Sequence, residues 1–169
     1  ILRAVSGNLA ARGLTVSTSN FGVPATGPEY LSFCIKNVVG GDLGAFDVIV
    51  FEFAENDYTS GEALDSLVAE ALRLPHHPAV LLYLHCGPRH ANSTATQPHP
   101  EYKAGNNCEH AAHRAIARRH GVVAIDLAEW TSSLNNYSTY FRDGVHPNEK
   151  GGPIIANFIT RVLHQGLRT

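Results

Sequence analysis

Three short apolar runs limit what this chain can fold into: "DVIVFEF" at 47 to 53, "AVLLYLH" at 79 to 85 and "VVAID" at 122 to 126. None alternates apolar with polar residues, as a strand with one wet face does. A continuous apolar run reads instead as a strand covered on both faces, as in a parallel sheet lying between helices. The segments between the runs fit. "GEALDSLVAEALRL" (61 to 74) repeats apolar residues at helical intervals and is stopped by "PHHP". "CEHAAHRAIARRHG" (108 to 121) is helical and ends in basic residues and a glycine, which suit the negative end of a helix dipole. This alternation predicts a three-layer α/β/α sandwich with a parallel sheet.

The flanking segments extend the pattern. Residues 2 to 12 read as an amphipathic helix closed by Gly13, and the β-branched "LTVSTSN" (14 to 20) as a fourth strand. "PEYLSFCIKNVV" (28 to 39) is a short helix, "GGDLGAF" a loop, and "KGGPIIANFITRVLHQGL" the last helix. Residues 87 to 107, rich in Pro, Asn and small polar residues, read as one long loop of the kind that is usually functional. At 169 residues, 1 to 169 is expected to be a single domain. The alternation opens on a helix and the chain contains no Met, so a first strand is expected upstream of Ile1, leaving a sheet edge open without it.

Composition excludes several classes. The net charge is −2 and no basic block is present, so nucleic acid is not an expected partner. The longest apolar run is far short of the roughly 20 residues a membrane span needs. Cys34, Cys86 and Cys108 fit no CxxC scheme and read as buried thiols. Among the 10 histidines, His110 and His113 are three apart on a helix, with Cys86 and Cys108 available, yet no zinc-binding spacing appears; no metal and no organic cofactor is expected. Sequons at Asn92 and Asn136 mean little for glycosylation, since chance alone gives about one in a chain of this composition; the compartment is unknown, with a weak lean to the secretory pathway or the outside of the cell, and oligomeric state is not legible. Glu52, set inside an apolar run, either pairs with a basic residue, hydrogen-bonds the site from behind, or lies on a less buried pleat.

Open parallel sheets bind ligands outside the carboxyl ends of their strands, and three features fall where such ends or their following loops are expected: "NFGVPATG" (20 to 27), "AEND" (54 to 57) and "DGVHP" (143 to 147). Each has a plain reading as a turn. Together, in this order, they resemble the SGNH hydrolases, also called the GDSL esterases and lipases, in a eukaryotic-type branch. That family carries Gly-Asp-Ser after the first strand, a Gly after the second, Gly-x-Asn-Asp after the third and Asp-x-x-His near the C-terminus. Here "AEND" stands for the third block with its Gly replaced, and Asp143 to His146 for the fourth. The resemblance implies the flavodoxin-like SGNH fold, without its first strand.

What the resemblance implies for the site has a physical reason. Ester cleavage builds negative charge on the carbonyl oxygen, which fixed donors must meet. Asn56 would give a side-chain amide; the backbone donor of the second block falls on Ala25, with Gly27 as the alternative. His146 would act as general base and acid, held by Asp143. The nucleophilic serine is not found: neither Gly-Asp-Ser nor Gly-x-Ser-x-Gly occurs, and Ser6 lies within a helical pattern. The serine is expected upstream, and residues 1 to 169 alone are expected to be inactive. The implied function is a serine esterase acting on a small-molecule or carbohydrate ester, with O-acetyl groups favoured. An inactive glycan- or acyl-binding domain and an O-acyltransferase remain as alternatives.

Overall fold

The computed structural model describes residues 1–38, 45–57, 61–85, 110–127, 130–131, 133–134, 137–142 and 145–166. They form two compact units, Val23–Ser132 and the paired segments Ile1–Gly22 and Ser133–Thr169.

The larger unit holds the sheet. Strands β1 (Val48–Phe51), β2 (Ala79–Leu84) and β3 (Val123–Asp126) lie in the order β1-β2-β3, all parallel. β1 is in register with β2 from Val48 opposite Ala79 to Phe51 opposite Leu82. β2 meets β3 from Leu81 opposite Val123 to Leu84 opposite Asp126. Central β2 is buried from Val80 to Leu84, as a doubly covered strand must be. Its even residues Val80, Leu82 and Leu84 share a core with Leu64, Leu67, Val68 and Ala71 of α3 (Glu62–Leu72) and with Ile116 and Ala117 of α4 (His110–His120). Helix α2 (Pro28–Val38) packs on α3 and adds Ile35. Each large side chain fully buried here contributes about 1.5 to 3 kcal/mol.

The smaller unit packs α1 (Leu2–Ala10) against α5 (Gly151–Gly166). Val5 and Leu9 are the buried face of α1; Ile155, Ala156, Ile159 and Thr160 are buried on α5. Asn8 Nδ2 donates to Asn157 Oδ1 at 2.9 Å on the outside. Helix α1 ends as its sequence predicts. Leu14 N–H reaches Leu9 O and Gly13 N–H reaches Ala10 O, with Gly13 at φ 80, the double hydrogen bond of a Schellman cap.

Two expectations are corrected. Residues 14 to 20 belong to no strand, and the sheet has three strands among the described residues. β-Branched residues favour an extended backbone, but a strand exists only where a neighbour completes its ladder, and Thr15 and Ser17 to Asn20 are exposed. Cys34 is only partly buried. The long segment 87 to 107, Cys86, Cys108 and both sequon asparagines lie outside the described residues.

Candidate functional site

In the larger unit, β1 ends at Phe51 and the chain turns at 54 to 56, where Asn56 N–H donates to Phe53 O at 2.8 Å. Ala54 and Asp57 are buried and anchor the turn, while Asn56 between them keeps partial exposure. The second block meets this turn. Gly27, buried just before α2, lies so close to the carbonyl of Asn56 and the carboxylate of Glu29 that a β-carbon at position 27 would collide with both. Gly27 of "NFGVPATG" is therefore packed against the Asn56 backbone of "AEND".

Ala25, two residues earlier, sits at φ 58, in the left-handed region that favours glycine. Its tight turn is braced by Thr26 Oγ1, which donates to Val23 O at 2.8 Å. The position that family spacing gives to a glycine thus has a glycine-like backbone while carrying a methyl group.

Asp57 is 1 % exposed and accepts a 2.7 Å hydrogen bond from Nε2 of His113, itself 1 % exposed, on α4. This pair was not foreseen. The helix turns a polar, basic face to water at Arg114, Arg118 and Arg119. His113, however, shares its face with buried Ile116 and Ala117, at the i, i+3, i+4 spacing. That spacing was the available signal. Among the described residues no group of three His, Cys, Asp or Glu could hold a metal ion.

Glu52 lies one residue beyond β1, on the exposed side of the pleat. Water can touch its surface, yet the protein crowded around the carboxyl removes much of its hydration. Desolvation, with repulsion from Glu55 added, raises its pKa from 4.5 to about 7.

The smaller unit carries His146. Phe141 and Pro147 form an isolated antiparallel bridge, and Arg142 N–H donates to His146 O at 3.0 Å, so the loop is closed at its base. Asp143 and Gly144, within this loop, lie outside the described residues. Asn148 fixes the far end. Its Oδ1 accepts from the N–H groups of Lys150 (2.9 Å) and Gly151 (3.1 Å), and its Nδ2 donates to Thr139 O at 3.0 Å. Helix α5 starts Gly-Gly-Pro, a poor nucleus, so this cap does much to define where it begins. His146 is exposed, two residues before the cap.

The chain is similar in fold to solved ester hydrolases. A lipase/acylhydrolase from Enterococcus faecalis matches with TM-score 0.73 and 19 % identity, over 96 % of this chain and 83 % of that one. A possible lipase from Chitinophaga pinensis DSM 2588 matches with TM-score 0.66 and 14 % identity, over 97 % and 87 %. A two-domain esterase active on acetylated mannans, co-crystallised with mannopentaose, matches with TM-score 0.69 and 19 % identity over 89 % of this chain; the match spans 39 % of that larger protein. No protein-family model matches the sequence, and no curated protein does. The fold is the α/β fold of the SGNH hydrolases.

Proposed function

We propose that this chain belongs to a serine ester hydrolase. The observation that carries the reading is the junction at the end of β1, where the Asn56 turn meets the Gly27 backbone within an SGNH-type fold. In the proposed mechanism a serine upstream of Ile1 attacks the ester carbonyl. His146 takes the serine proton and returns it to the leaving alcohol, Asp143 holds the imidazole in the required tautomer, and water then releases the acyl group by the same route.

Charge favours Ala25 over Gly27 as the backbone partner of the Asn56 amide. The Glu29 carboxylate packs over the α-carbon of Gly27, and an oxyanion formed there would be repelled. At Ala25 the left-handed backbone is the kind of local strain that persists where a donor must be aimed. Gly27 then serves as the close-packed hinge that brings the second block against the third.

For substrate, we favour O-acetyl groups on carbohydrate. The fold likeness to an esterase active on acetylated mannans supports this choice. The test is hydrolysis of a short nitrophenyl ester, and of an acetylated mannan, by the full-length protein and its His146→Ala variant.

A further inference from the structure

The Asp57 and His113 pair takes no part in the proposed chemistry, yet it lies next to the residue on which that chemistry depends. The side chains are 0 % and 1 % exposed and 2.7 Å apart. A carboxylate only accepts hydrogen bonds, so Nε2 of His113 must carry the proton whatever the charge of the ring. Removing that donor takes a charge-assisted hydrogen bond from a buried carboxylate, a cost that a shift of the backbone at Asp57 would relieve.

Helix α4 touches this connection a second time. A β-carbon on Gly61 would come 2.8 Å from Ile116 Cδ1 and 3.3 Å from Ala112 Cβ, so the start of α3 is seated on the α4 face that carries His113. The chain leaving β1 is thus gripped at Asp57 and again at Gly61. Asn56 lies just before the first grip and is tied on its other side to Phe53 O.

We propose that His113 is a positioning residue: acting through Asp57, it fixes the turn that aims the Asn56 amide. The functional consequence rests on the reading of Asn56 as the oxyanion donor, whereas the positioning itself does not.

The experiment compares wild type, His113→Leu and His113→Gln in the full-length protein. It follows the side-chain amide NMR signals of Asn56 together with kcat and KM on p-nitrophenyl acetate. Leu removes the donor, whereas the Gln amide can offer one from nearly the place of Nε2. The expected result is that His113→Leu moves the Asn56 amide signals and lowers kcat about tenfold or more at unchanged KM. His113→Gln should return both toward wild type.

A folded His113→Leu protein with unmoved Asn56 signals and wild-type kcat would overturn the proposal. Should His113→Leu not fold, His113→Asn, whose amide is too short to reach Asp57, takes its place with the same two outcomes. If wild type hydrolyses nothing, the esterase reading fails, and the Asn56 signals alone decide the positioning role.

Discussion

The α-carbon of Gly27 faces the backbone carbonyl of Asn56 with no room between them for a β-carbon. The nearest obstacles are a backbone atom, which cannot swing away, and the Glu29 carboxylate. Gly27→Ala should therefore displace the turn that carries Asn56. A cost of about 1 to 3 kcal/mol is expected for forcing a methyl group into packed structure. In a protein of this size that lowers Tm by about 2 to 4 °C per kcal/mol, readable by thermal denaturation.

Ala25 should respond in the opposite sense. A left-handed conformation costs a non-glycine residue about 1 to 2 kcal/mol, partly offset in glycine by its greater freedom when unfolded. Ala25→Gly is expected to hold or raise the urea midpoint, and Ala25→Val, whose branched side chain tolerates this region worst, to lower it. A midpoint that rises with Val would contradict the assigned backbone conformation.

Asn148 caps α5 with two accepted N–H bonds and ties the helix start to Thr139. Asn148→Ala should cost about 1 to 2 kcal/mol, since Gly151, Gly152 and Pro153 nucleate a helix poorly without it. Asn148→Asp keeps the acceptor and should restore most of the loss.

Glu52 gives a pH dependence with a defined sign. Below 4.5 its carboxyl is protonated in both the folded and unfolded chain. Between 4.5 and about 7 the unfolded chain releases the proton while the folded one keeps it, so stability is lost as pH rises through this window. Glu52→Gln should remove that component, flattening urea stability against pH over the same range. An unchanged slope would show that the carboxyl titrates normally in the folded protein.

The sheet was legible in the sequence because unbroken apolar runs have few other uses, and all three strands lie within the predicted runs. The stretch at 14 to 20 misled because strand propensity is a property of the residues, whereas a strand is a property of a pair. Asn56, Ala25 and, as its alternative, Gly27 become candidates only through their order along the chain. The spacing of His113 with Ile116 and Ala117 signals that it is buried, but not that it bonds Asp57, 56 residues away. The contact between Gly27 and Asn56 was likewise hidden, because a glycine in a turn-rich stretch gives no sign of what lies against it.

In the proposed reaction His146 is the general base and Asn56 the oxyanion donor. The most direct measurement is the turnover of p-nitrophenyl acetate by the full-length protein and two variants at equal folded concentration. His146→Ala should abolish hydrolysis, and Asn56→Ala should lower kcat about a hundredfold or more, since one oxyanion donor is worth about 2.7 to 4 kcal/mol. Undiminished turnover in His146→Ala would contradict the account.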